Sequence, residues 1–120
     1  EARQAADLLG ADYVCLEFQD LRLVDDDSSR MRVTEVLRQV APDAVITAPP
    51  IDYMTDHEIT SKLVRQATFN APIPNYSTQA TTPAGVIESI PHLYYVDPLE
   101  GTDYYGHDLP PAFYVDISAT

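Results

Sequence analysis

The chain has 120 residues, enough for one domain with a modest core, and its 19 acidic and 7 basic residues give a net charge of −12. That balance argues against nucleic acid or an anionic membrane surface as partner, since both demand a basic patch, and it favours a neutral or cationic small molecule or a metal ion. No apolar stretch approaches the roughly 20 residues of a membrane span and no signal-peptide pattern opens the chain, so the expected location is cytoplasmic.

Residues 1–9 place Ala2, Ala5, Ala6 and Leu9 at helical spacing, and Gly10 supplies the stop, so a helix is expected there. Nothing caps it at Glu1, which suggests a longer helix and a chain that is a fragment. Tyr13 to Phe18 is rich in branched and aromatic residues and reads as a strand, with the lone Cys15 as a buried structural thiol inside it. The acidic break Asp25 to Ser29 is suited to cap a helix carrying Val33, Val36, Leu37 and Val40, closed by Pro42. Ala44 to Ala48 is short and almost wholly apolar, the pattern of a strand buried on both faces of a parallel sheet.

After Pro49-Pro50, Thr55 and Glu58 have capping-box spacing, with Thr55 as N-cap of a helix over about 56–69 that turns Ile59, Leu63 and Ala67 inward. Residues 70–90 read as a long surface loop. Strands are expected at His92 to Val96 and Phe113 to Ile117, flanking an acidic, tyrosine-containing loop from Asp97 to Pro111. Helix and strand alternating with short links predict an α/β fold: a Rossmann-like, mostly parallel sheet with crossover helices, as one partial domain over residues 1–120.

The chemistry concentrates at residues 49–58, where an apolar run ends in two prolines and is followed by Asp52, Asp56, His57 and Glu58. Ligands in open α/β proteins bind at the carboxyl ends of strands, and a histidine in the first turn of the next helix faces that edge. Neutral imidazole is a good zinc ligand, and a neighbouring carboxylate orients it; Asp56, adjacent in sequence, either does this or caps its own helix. The same residue types also gather at helix N-termini for dipole reasons alone. Ser61, four residues beyond His57, lacks the strained Gly-rich turn of a nucleophile. His107 and His92 lie near Asp108 and Asp97 as ordinary loop neighbours. Tyr104-Tyr105 and Tyr94-Tyr95 suit either a sugar pocket or edge packing. No nucleotide, phosphate-loop or Cys-x-x-Cys signature is present.

With these residues in view, the chain resembles the LmbE-like, PIG-L-type deacetylases, zinc hydrolases acting on N-acetylglucosaminyl compounds. The resemblance runs through the helix ending in Leu9-Gly10, Leu16-Glu-Phe-Gln-Asp20, Ala41-Pro-Asp-Ala-Val45, and Asp52 to His57 on the family's His-x-Asp-His motif. It implies Zn2+ or another divalent metal as cofactor, His57 as a metal ligand, Asp56 as the catalytic-site carboxylate behind it, and Asp20 and Asp52 as substrate contacts. The implied substrate is a small N-acetylated sugar or glycoconjugate, losing its acetyl group by hydrolysis. The chain departs from the family in two respects. Met54 stands where the family has a histidine, and a thioether cannot donate a proton. The family's early His-Pro-Asp-Asp segment, source of two further ligands and the general base, does not occur in it. The competing expectation is a non-catalytic sugar-binding or protein-association module of the same ancestry.

Overall fold

A computed structural model describes residues 1–118 and shows a small α/β arrangement of three helices and a two-stranded parallel sheet. Helix α1 spans Ala2–Leu9 and stops at Gly10, whose φ of 66° lets its N–H reach back to the carbonyls of Ala6 and Asp7. It buries no side chain against the rest of the described residues.

Helix α2, Asp27–Val40, begins where the acidic run predicts. Asp26 is its N-cap, the carboxylate accepting the Ser29 N–H at 2.8 Å, and Asp27 adds negative charge in the first turn. Helix α3, Thr55–Asn70, packs on α2 on one side and against both strands on the other, so it is the hub of the fold. Its inward residues Leu63 and Ala67, with Ala71 just beyond its end, form the apolar centre.

Polar side chains bolt the helices together. Arg38 of α2 is buried and donates to the carbonyls of Asn70, Ala71 and Ile73, at and just beyond the end of α3. Buried Thr34 and Thr68 donate to carbonyls four residues back, at 2.8 and 2.7 Å, so neither hydroxyl is left unpaired. Glu35 reaches from α2 to the loop after α3, where it accepts from Thr78 Oγ1 at 2.5 Å and the Ala84 N–H at 2.8 Å. The 70–90 segment is thus irregular, as expected, yet fastened.

Strands β1 (Ala44–Thr47) and β2 (His92–Tyr95) pair in parallel with Ala44 opposite His92 and Thr47 opposite Tyr95. In the chain α3 lies between them. The sheet differs from the sequence expectation in three ways. First, β1 is not buried on both faces: α3 covers the side of Val45 and Thr47, while Ile46 on the other side is 70% exposed. Second, Tyr13 to Phe18 forms no strand. Glu17 takes φ of 53°, which interrupts an extended run, and Arg32 of α2 holds the segment by stacking on the Phe18 ring and donating to the Leu16 carbonyl. Cys15 is exposed there, not a core thiol. Third, Phe113 to Ile117 is irregular as well. Phe113 meets Tyr94 edge-on at 5.8 Å, so the segment lies over the open face of the sheet instead of pairing with its edge. Tyr94 and Tyr95 therefore line an apolar trough with Phe113 and Val115.

Candidate active site

The chain leaves β1 through Ala48 and Pro49 and leaves β2 through Val96 and Asp97, and a crevice of about 570 Å³ opens between these exits. Ile46, Thr47, Asp52, Tyr53, His57 and Leu99 complete its lining. A ligand there would sit at the carboxyl ends of two parallel strands, with the first turn of α3 as one wall.

Asp52 organises this wall. Its carboxylate is buried, and its Oδ1 accepts the Met54 N–H and meets His57 Nδ1, both at 3.1 Å. Where the Asp52 oxygen accepts from Nδ1–H, the other ring nitrogen, Nε2, is the one left to face a ligand. Tyr53 packs edge-on against the same ring, with centroids 5.6 Å apart. The imidazole is thereby held from two sides while its side chain stays 42% exposed.

This geometry differs from the capping box expected from spacing. Met54, not Thr55, is the N-cap, with extended backbone and no side-chain cap bond. Glu58 does reach back, but to the Asp52 N–H at 3.1 Å. The cause is local: Asp52 closes its own two-residue turn onto Met54, which sets the chain for a helix starting one residue earlier.

The four residues singled out in the sequence fall in one neighbourhood with redistributed parts. Asp52, not Asp56, is the carboxylate that contacts His57. Asp56 instead accepts the Leu21 N–H at 2.7 Å, tethering the turn that contains Asp20 to the start of α3. Asp20 is exposed on that turn. Ser61 is buried within α3, away from solvent.

Tyr53, Asp97 and Leu99 are lining residues that the sequence reading did not single out. Asp97 follows β2 as Asp52 follows β1, and strand-exit position was the signal available. The loop beyond it is also built on a carboxylate: Asp103 accepts the N–H groups of Tyr105 and His107, both at 2.9 Å, and its second oxygen lies 3.1 Å from His107 Nδ1. The partner of His107 is thus Asp103, not the adjacent Asp108. Backbone N–H donation from His107 is the main cause holding the Asp103 carboxyl below the usual carboxylate range.

The PIG-L family, described as GlcNAc-PI de-N-acetylase, matches residues 1–68, more than half of the chain. The chain belongs to this family. The match takes in α1, α2, β1 and most of α3, including Asp20, Asp52, Asp56 and His57. Among solved structures it is similar to a 4-carboxy-2-hydroxymuconate hydratase from Pseudomonas putida, with a TM-score of 0.67 and 26% identity over 81% of this chain. The chain spans 39% of that hydratase.

The donor set present fits a divalent transition metal in part. A histidine whose Nδ1–H is held by a buried carboxylate is the arrangement that presents Nε2 to a metal. Among the described residues, no three His, Cys, Asp or Glu side chains converge in a way that could hold an ion. His57 is one donor, not a complete site. No helix among the described residues is long and apolar enough to cross a membrane.

Proposed function

We propose that the protein to which this chain belongs is a metal-dependent hydrolase removing an acetyl group from an N-acetylated sugar or related small molecule. In this reading the chain contributes one side of the site within a Rossmann-like sheet, and the remaining metal ligands come from elsewhere in the protein. His57 would hold the metal through Nε2, with Asp52 fixing the ring. A divalent ion bound there would supply Lewis-acid polarisation of an amide carbonyl and a water of lowered pKa. Asp56 tethers the Asp20 turn beside α3, and in this reading Asp20 would contact the substrate from outside the crevice lining.

The observation that carries this reading over a hydratase of the neighbour's kind is the charge of the crevice. Its ionisable lining is Asp52, Asp97 and His57, with no Lys or Arg among the described residues. The nearby cations Lys62 and Arg65 line a separate cavity along α3 with Pro50 and Glu58. A carboxymuconate is polyanionic and finds no cationic side chain on these walls to pair with, whereas a neutral acetylated amine needs none.

The test uses the complete protein, stripped of metal with chelator and reloaded with Zn2+. Primary-amine release from N-acetylglucosamine and its glycosides is compared with hydration of 4-carboxy-2-hydroxymuconate. Amine release that depends on restored metal is expected. Hydration without amine release would overturn the reading, and sugar binding without turnover would favour the non-catalytic module that Met54 raises.

A further inference from the structure

The strand-exit crevice carries few polar side chains, and most of them are already engaged. Of its possible donors, Thr47 is buried beneath α3, and the His57 ring meets Asp52 through Nδ1, with Nε2 the nitrogen assigned to the metal. Of its two carboxylates, Asp52 is occupied by the Met54 N–H and by His57. That leaves one hydroxyl, on Tyr53, and one carboxylate, on Asp97. Among the described residues neither has a hydrogen-bond or ion-pair partner.

Both groups are held from behind. Asp52 accepts the Met54 N–H at 3.1 Å, a turn that leaves Tyr53 at its corner, and the Tyr53 ring rests edge-on against His57. On the other side, the Val96 N–H donates to the Thr47 carbonyl at 2.9 Å, and a buried proline, Pro98, follows Asp97. A proline ring disfavours helical backbone in the residue before it, which keeps Asp97 in line with the strand. The Pro98 carbonyl in turn accepts the Gly101 N–H at 3.0 Å. Little ordering is left for a ligand to impose on either side.

One free donor from the β1 exit and one free acceptor from the β2 exit are the complement of a secondary amide. A trans amide directs its C=O and its N–H to opposite edges of one plane. A phenol O–H can donate to the first, and a carboxylate can accept from the second. An ester has the same carbonyl but no N–H, so its oxygen would face the carboxylate lone pair to lone pair.

We infer that Tyr53 and Asp97 together select a secondary amide: the Tyr53 hydroxyl donates to the acetyl carbonyl, and the Asp97 carboxylate accepts from the amide N–H. The inference rests on the deacetylase reading and deepens it, making Asp97 the residue that separates N-acetyl from O-acetyl substrates.

The experiment gives the complete, metal-loaded protein two probes, N-acetylglucosamine and glucose acetylated on O2, and follows acetate release from each. The quantity read is the ratio of kcat/KM for the amide to that for the ester. Asp97→Ala should lower this ratio by about 10- to 100-fold, the worth of a hydrogen bond to a charged group. Asp97→Asn, which keeps an accepting oxygen and controls for folding, should retain most of it. Tyr53→Phe keeps the ring against His57 and removes the hydroxyl, so both kcat/KM values should fall by about ten-fold while their ratio holds. A ratio unmoved by Asp97→Ala, or lowered as far by Tyr53→Phe, overturns the inference and leaves the deacetylase reading standing. Where neither probe loses its acetyl group, binding of N-acetylglucosamine is followed by NMR. Binding that weakens in both Asp97→Ala and Tyr53→Phe then keeps the amide pocket and sinks the deacetylase reading; binding that is absent, or indifferent to both substitutions, overturns both.

Discussion

Two Asp–His pairs in this molecule have the same geometry and different surroundings. Asp52 meets His57 and Asp103 meets His107, each through Nδ1 and each at 3.1 Å. Both carboxylates are largely covered, but the His57 side chain is 42% exposed and the His107 side chain 74%. Asp103 also collects two backbone N–H groups of its own loop, so its pair closes a turn. Asp52 sits between a strand exit and a helix start, so its pair aims a ring along a crevice wall. The bond between aspartate and histidine is the same in both places; what surrounds it makes one a candidate metal ligand and the other a clasp.

The largest effect expected from breaking this comparison is on turnover. His57→Ala should lower amine release in the complete protein by about a thousand-fold or more, since a metal site losing a ligand forfeits several kcal/mol of transition-state stabilisation. His107→Ala should change it by less than about two-fold, because the clasp's other bonds remain. Steady-state assays with metal analysis of both variants decide it. Equal losses would mean that the two pairs have been assigned the wrong parts.

Next in size is Asp52→Asn, which keeps the shape of the side chain and removes its charge. A cost of about 10- to 100-fold in metal affinity or activity is expected, the usual range for a group that orients a ligating imidazole. Asp56→Asn should cost less, because that side chain holds a backbone N–H of the Asp20 turn and does not touch the ring. A larger loss from Asp56→Asn than from Asp52→Asn, measured as metal dissociation constants, would restore Asp56 as the partner of the site.

The sequence made this contrast only half legible. Helix α2 with its acidic cap, β1, α3 and β2 could be read from periodicity and capping residues, because those signals are local. That His57 stands at a strand exit followed from the Pro-Pro break after an apolar run. Which carboxylate meets it did not, since Asp56 is the sequence neighbour and Asp52 the spatial one. On a helix, adjacent residues point roughly 100° apart, while a turn folding back over five residues brings Asp52 under the ring. The two failed strands have the same origin. Tyr13 to Phe18 and Phe113 to Ile117 have strand composition, but strand formation needs a neighbour to pair with, and composition carries no information about that partner. Cys15 was misplaced with its segment.

A smaller effect sharpens the comparison at the clasp. Asp103→Ala removes the acceptor of the Tyr105 and His107 N–H groups, and hydrogen exchange at those two amides should accelerate by about ten-fold, a local opening that leaves α2 and α3 protected. Exchange measured by NMR across the chain shows whether the loop opens alone. Acceleration spreading into α3 would make the loop part of the main cooperative unit.

The smallest and most specific effect is the pH dependence of the same clasp. The ordinary value for such a carboxyl is 3.8, and in the folded chain it lies lower, chiefly because the His107 N–H donates to the ionised form. A group whose folded pKa is depressed stabilises the fold in its charged state. That contribution is complete above 3.8 and disappears as pH falls through the lower folded value. The amide proton shifts of Tyr105 and His107 should therefore hold steady on acidification to about pH 4 and then move together, with a midpoint below the ordinary carboxylate value. In Asp103→Asn the inflection should vanish, because the amide oxygen still accepts but no longer titrates. A midpoint at or above 3.8 in the wild-type chain would mean that the backbone donors do not favour the charged carboxylate, and that Tyr104 is held in place by ring packing with Tyr105 instead of by the clasp.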